Sequence, residues 1–399
     1  MTKLQKARFA VFAFFTIAGA TVTFWAVHIP SVERALGISH SVIGALLLLF
    51  GGGALTAMQL VGWMIDRVGS RTTTFLAAIF MSLMLFLPGL ADSVWLLAVA
   101  LYLLGIGVGA TDVAMNAHAV EVEKAYQRPI FSAFHAMWSL GGLLGAGLGG
   151  LALQLNFEMQ TTLSLAALSF LAIAIWMRFW LLPDSPNHVK VHSNEAEQKR
   201  LKLEANKANR KVLGYVLFLG AMGGAAVIAE GTGVDWSALH HARILGTSEA
   251  VASLAIVVYT GAMGFTRLVI DKVVQRLGRI FVIRYGSILS AIGTLVVVLS
   301  ETSITALIGW VVAGVGIAGV VPQIFAYSAE VGEESHTGRN MAKVVGITYA
   351  GVLAGPAVIG FLTELVPLNI AIGFGILLGL FTALGTLLIE RRNTLAQAL

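Results

Sequence analysis

The chain has no cysteine. A disulfide, a thiolate nucleophile and a cysteine-ligated metal are therefore excluded. Charge is scarce as well: Asp, Glu, Lys and Arg make up 12% of 399 residues, about half the ~25% of a soluble domain. Hydrophobic residues make up 57%, and the mean hydropathy is +0.84. There is too little polar surface to cover a water-soluble globule, so the class is polytopic membrane protein. No G-x-x-x-x-G-K-[ST] loop occurs, which argues against an ATP-driven pump. Gly105, Gly107 and Gly109 lie inside an apolar run with no strand before them, so they are not a dinucleotide loop. His118, His240 and His241 lack the spacing and partners of a metal site, and no Ser/His/Asp arrangement has a plausible elbow context. Neither an enzyme, a metal site nor a bound cofactor is expected.

What the chain has in abundance is glycine, 44 residues, which membrane helices tolerate and use for close approach, and long apolar runs. Twelve stretches of about 20 residues read as spans: 9–29, 41–64, 73–91, 94–118, 130–153, 161–182, 212–236, 249–268, 280–300, 303–327, 341–363 and 368–389. The basic start, Met1 to Arg8, resembles the head of a signal peptide, but no small-residue cleavage site follows, and it is expected to lead into a retained first span. With the N-terminus inside, only Arg34 and Arg243 of the 26 Lys and Arg residues fall in outer segments. That asymmetry obeys the positive-inside rule in every loop. It is expected to place both termini on the cytoplasmic side of the membrane. The pI of about 9.5 is thus an orientation signal and does not imply a nucleic-acid partner.

The one long polar stretch, Pro183 to Lys211, mixes Glu with Lys and Arg. It reads as a solvated, partly helical cytoplasmic linker. It divides the chain into an N-terminal bundle of six spans, 1–182, the linker, 183–211, and a C-terminal bundle, 212–399. Two charged, glycine-containing turns support a repeat. Gly62, Asp66, Arg67, Gly69, Ser70 and Arg71 follow the second span. Arg267, Asp271, Arg276, Gly278 and Arg279 follow the eighth. Asp66 and Asp271 are 205 positions apart, about half the chain, the plan of a secondary transporter built from related halves.

Six spans, a basic linker and six more resemble the major facilitator superfamily. The first loop matches that family's motif G-x-x-x-D-[RK]-x-G-[RS]-[RK]; the second keeps it in looser form. The segments Asp112 to His118, Phe134 to Gly142, Glu230-Gly231 and Asp235 to Ser237 are similar to a bacterial subgroup near the fucose-permease-like proteins. The resemblance implies an all-α membrane protein with 12 transmembrane helices in two pseudo-symmetric six-helix bundles. It also implies that the motif loops form a cytoplasmic gate. The physics of Asp66 points the same way: a carboxylate docked on the start of span eleven, near Asn340, gains roughly 0.3–2 kcal/mol from the helix end. The plainer alternative is that Asp66, Arg67 and Arg71 cap a turn and set topology.

Ionisable residues inside spans are costly and point to function. Asp112 lies about 13 Å of helix before Glu121, and Asn116 is one turn further along the same face. With His135, entering span five at a similar level, they are expected to form one polar cluster. Glu230 sits deep in span seven among Gly224, Gly231 and Gly233, where the helix is expected to break, as cavity-lining helices of transporters do. A carboxylate removed from water is expensive to keep charged, so Asp112 and Glu230 are candidates to bind and release protons. Structural networks are the alternative reading of both. Trp25, His28, Gln59, Tyr259, Gln323, Tyr327 and Tyr349 are candidate cavity residues suited to a polar organic solute, though each singly is also a common packing residue. Gly141, Gly145 and Gly149 give span five a close-packing face, and Pro356 is expected to kink span eleven. The span-five run lacks the Gly-Pro pair of this superfamily's proton-driven drug exporters, which leans towards uptake. The expectation is a secondary active transporter importing a small polar solute with protons, with an efflux antiporter for amphipathic compounds as the alternative. Its expected partners are the lipid bilayer, the solute and protons, and it is expected to act as a monomer.

Overall fold

The computed structural model describes residues 1–38, 40–184, 195–331 and 337–397; side chains at 195–212, 392–397 and several positions near 30–44, 249–253 and 337–338 are outside the description. The described chain is mainly helical, and no strand occurs among the described residues. Twelve helices are long and apolar enough to cross a membrane: Lys3–Ala26, Ala45–Val68, Ser70–Leu90, Val94–Tyr126, Phe131–Gln154, Met159–Trp180, Leu213–Arg243, Leu254–Leu277, Arg279–Val298, Ser303–Ser328, Arg339–Leu365 and Leu368–Arg391. They are called spans one to twelve below. Each satisfies its backbone hydrogen bonds internally, which hydrocarbon demands. Of the expected linker, residues 185–194 lie outside the described residues; from Glu195 the chain is one helix running through span seven to Arg243. That helix continues past Gly224, Gly231 and Gly233, so the expected break in span seven is not found. The glycines serve packing instead: Gly224 lies against Gly351 of span eleven, and Gly233 faces the ring of Tyr259. Span eleven likewise remains helical through Pro356.

Contacts divide the chain into two units. Unit 1 comprises Met1–Gln127, Met137–Val216 and Ala329–Lys343; unit 2 comprises Arg128–Ala136, Leu217–Ser328 and Val344–Leu399. The division differs from a simple cut at the linker. The first turn of span five belongs to unit 2, and the first residues of span eleven belong to unit 1. Within unit 1, span four packs on spans one, two and three; within unit 2, span ten packs on eight and nine, and nine on twelve.

The two units carry the marks of one repeated plan. Gly69, between spans two and three, has φ 88° and ψ 161°; Gly278, between spans eight and nine, has φ 86° and ψ 164°. This backbone region is essentially closed to residues with a Cβ, so each turn requires glycine. The two positions are 209 residues apart, as are Gly37 and Gly246, which share φ near +60°. The same offset relates helix contacts. Gly105 abuts the backbone of Phe50 as Gly314 abuts that of Tyr259, and Gly107 abuts Met81 as Gly316 abuts Ser290. The glycines that a dinucleotide motif would have used thus let span four, and its counterpart span ten, lie backbone to backbone on two neighbours. Gly141 and Gly145 of span five do the same against Thr16 and Ala20 of span one, and Gly149 meets the side chain of Val27 just beyond it.

A Cβ at Gly105 or Gly314 has no room, because what it meets is backbone carbonyl. G105A and G314A should each cost at least the ~1–3 kcal/mol of an overpacked core and lower the melting temperature of the purified protein. G147A and G150A, which meet open space, should leave it unchanged.

Candidate functional site

Asp271 organises the first of the polar clusters, in unit 2. Its Oδ1 accepts the backbone N–H of Ser132 and its Oδ2 that of Ala133, both at 3.0 Å. These are N–H groups of the first turn of span five, which have no partner within their own helix. The side chain is therefore held by hydrogen bonds and by the positive helix end together. Gln323 donates from Nε2 to Ser132 Oγ at 2.9 Å and accepts from Arg279 Nη1 at 2.6 Å. Gln323, expected in a cavity, is fully buried in this junction.

One turn before Asp271 on the same helix is Arg267, expected among the gate residues. The structure pairs it elsewhere. Its Nη2 donates to both carboxylate oxygens of Glu230, at 3.0 and 3.1 Å, and its Nε donates to the carbonyl of Ala318 at 3.1 Å. Tyr259 donates its hydroxyl to the Glu230 carbonyl at 2.9 Å, and its ring packs on Trp310, 5.7 Å between centroids. Arg267 lies ten residues before the helix end at Leu277, about 15 Å along the axis. The pair is an intramembrane one, with side-chain exposure of 8% for Arg267 and 21% for Glu230. Sequence reasoning had marked each residue but not joined them, because they are 37 positions apart on different spans.

In unit 1, Asp112 and Asn116 come together as expected. Asn116 Nδ2 donates to the Asp112 carbonyl at 2.8 Å and to its Oδ1 at 3.2 Å, both residues being buried. His135 lies at the start of span five. It belongs to unit 2, where its ring packs on Phe131 and Phe325, at 5.5 and 6.0 Å. The first turn of span five, which carries His135, is docked on span eight through Asp271; loop spacing gave no hint of that.

The Gly69 loop closes unit 1 at one end. Asp66 Oδ2 accepts from Arg339 Nε at 2.7 Å. At the start of span eleven the carboxylate thus meets the Arg339 side chain, while Asn340 donates its Nδ2 to the Val331 carbonyl. Arg67 lies 3.9 Å over the Trp63 ring, and Gly62 is buried. Asp184 was not foreseen. Its Oδ1 accepts the Arg71 N–H at 2.8 Å, supplying the N-terminal cap that Gly69, with no side chain, cannot give. The Arg71 guanidinium lies 3.4 Å from the Arg178 carbonyl. The signal was present in retrospect: a helix opened by glycine needs a capping group from elsewhere. Beside it, Ser70 Oγ lies 2.7 Å from His118 Nδ1. Arg276, the last gate candidate, is exposed.

The remaining cavity candidates are scattered. Trp25 is buried, and His28, expected near the outer mouth, is fully buried with Nδ1 2.8 Å from the Phe24 carbonyl. Gln59 is exposed and Tyr349 half-buried, while Tyr259 and Tyr327 are buried.

Known proteins agree with this architecture. The sequence model of the Major Facilitator Superfamily matches residues 9–232 and 226–398. The chain is 34% identical over 361 residues to an uncharacterized MFS-type transporter of Yersinia pestis, covering 90% of this chain and 89% of that protein. It is 32% identical over 374 residues to an uncharacterized transporter of Sinorhizobium fredii, covering 94% and 95%. Among solved structures, the fold is similar to that of the transporter FucP in its outward conformation, with TM-score 0.78 and 11% identity over 94% of this chain and 97% of that one. It is also similar to the proton:xylose symporter XylE, with TM-score 0.76 and 14% identity over 96% and 94%. The repeated turns, the twelve spans and these relatives lead to one conclusion: the chain is an integral membrane protein and belongs to the Major Facilitator Superfamily of transporters.

Proposed function

We propose that the protein imports a small polar organic solute together with protons, by alternating access of two halves joined at the 183–211 linker, in a bacterial inner membrane with both termini cytoplasmic. The observation that carries this reading is the Glu230–Arg267 pair inside the membrane span. A buried ion pair is a poor way to add stability, but it is a good two-state element. While Glu230 is charged, it holds the guanidinium in a two-oxygen grip. A proton on Glu230 removes that attraction and leaves Arg267 free to meet an acceptor group of the solute. Tyr259, hydrogen-bonded to the same residue, links this event to the packing of spans seven, eight and ten. Asp112, held by Asn116 in unit 1, is the second proton candidate.

In this reading Asp66 with Arg339, and Asp271 with the start of span five, act as latches that form in one state and open in another. Gly62, Arg67, Gly69, Arg71 and Arg276 shape the loops that carry them. Arg267 moves from the gate to the coupling pair. The proton symporters among similar folds and the concentration of Lys and Arg on one side of the spans support the direction and orientation.

The test begins with a thermal-shift screen of purified protein against sugars, sugar acids and nucleosides. Uptake of a stabilising solute is then measured in proteoliposomes under an imposed pH gradient. E230Q is expected to remove pH-driven accumulation while leaving exchange of the solute down its own gradient. If D112N and E230Q both retain full pH-driven accumulation, carboxylate coupling is wrong. Proton-driven extrusion in place of accumulation establishes the efflux reading.

A further inference from the structure

At the end of unit 1 where the chain begins, cations and aromatic rings share one exposed surface. Lys3, Lys6 and Phe9 recur at three-residue spacing on span one and so lie along one helix face. Both lysines are exposed, and Phe9 is 48% exposed. The Lys6 ammonium lies 5.9 Å from the Trp180 ring centroid. Trp180 in turn packs on Phe9 at 5.7 Å and on Trp176 at 6.0 Å. Next to it in the same 3-10 turn, Arg178 is exposed, with its guanidinium 4.5 Å from the Phe75 ring centroid. Trp176 is 62% exposed. Among the described residues, no carboxylate forms a salt bridge with Lys3, Lys6 or Arg178, and the first turn of span one has no acidic side chain.

Two demands meet here. The rings stand at the end of membrane spans, where indoles with one wet edge settle at the headgroup level. The cations beside them carry charge that the described protein leaves unneutralised, and ring faces hold them in place without cancelling that charge. The complement is a molecule with an anionic head and an apolar body, presented at this depth. We propose that this surface binds an anionic phospholipid of the surrounding bilayer. Lys6 and Arg178 hold its headgroup phosphate, and its acyl chain lies along Phe9 and Trp176. The site is separate from the Glu230–Arg267 pair and depends only on the chain spanning a membrane.

The experiment is native mass spectrometry of the full-length protein with added phosphatidylglycerol or phosphatidylcholine. Both lipids carry a phosphodiester, but only the first has a net charge. Each Lys or Arg near an anionic headgroup favours binding by a factor of about five, so with Lys6 and Arg178 both engaged phosphatidylglycerol should bind about 25-fold more tightly. K6Q/R178Q should bring the preference close to unity. R243Q, a one-charge change at the far end of span seven, should retain it and controls for the loss of one charge in K6Q and in R178Q. W180A should weaken both lipids together. Sodium chloride at about 0.5 M should reduce the preference, because it screens exposed charges. Equal binding of the two lipids by the unaltered protein, or an undiminished preference in a folded K6Q/R178Q variant, overturns the proposal. If that variant does not fold, K6Q and R178Q singly must each reduce the preference, and failure of either to do so overturns it equally.

Discussion

E230A is expected to destabilise the protein by about 3 kcal/mol, and more than R267M does. Removing one partner of a buried pair leaves an uncompensated charge, at a cost of about 3–5 kcal/mol. Arg267 is the more deeply buried partner, and in E230A its guanidinium loses the carboxylate that its Nη2 reaches through both oxygens. Glu230 is a fifth exposed, so a lone carboxylate in R267M is partly relieved by solvent. The double variant E230Q/R267M should recover much of the loss, since exchanging both charges for uncharged groups of similar volume is often neutral. Thermal or denaturant unfolding in detergent checks the ranking. Equal stability of E230A and the unaltered protein would mean that the pair does not persist in solution.

D271A should have the second large effect, and its readout is accessibility. Its carboxylate accepts two N–H groups at the start of span five, and a hydrogen bond to a charged group contributes about 1.5–3 kcal/mol. Losing one such bond at the low end multiplies the opening of the span-five start by about tenfold. Because the chain has no cysteine, A133C is a clean reporter. A membrane-impermeant thiol reagent should label A133C about tenfold faster in D271A than in the parent. D66N should show a smaller effect with a reporter near Arg339, since that contact is a side-chain pair whose arginine is nearly half exposed, and such pairs contribute about 1 kcal/mol or less. The same labelling rate with and without Asp271 would remove the latch reading of this residue.

The two aspartates also show how a repeat is misread from motifs. Asp66 and Asp271 are 205 residues apart, whereas the backbone repeat runs at 209. Gln275 is the positional counterpart of Asp66, and Asp271 sits one turn, about 6 Å, further from its glycine turn. Both carboxylates meet the start of another span, but by different means. The glycine at the turn is the repeated element, because the backbone there admits no side chain. The carboxylate is free to move along the helix by a turn, because one turn keeps it on the same face.

Twelve spans, the membrane class and the family were legible in the sequence because each rests on local or summed properties. A bilayer admits long apolar helices and little else, so hydropathy and length suffice. The tight turns were legible because glycine alone fits their dihedrals. The Asp112–Asn116 contact was legible because it lies within one helix at a spacing of four. What only the tertiary structure decided are the pairings between helices: Glu230 with Arg267, Asp271 with Ser132 and Ala133, and Asp184 with Arg71. It also decided that the His135 ring packs on Phe325, and that the glycines of span seven pack without breaking the helix. These depend on which helix faces meet and at what depth, and that is set by the packing of many small residues at once. The sequence thus determined which residues are too costly to lie in a membrane without a partner, and the fold determined which partner each one has.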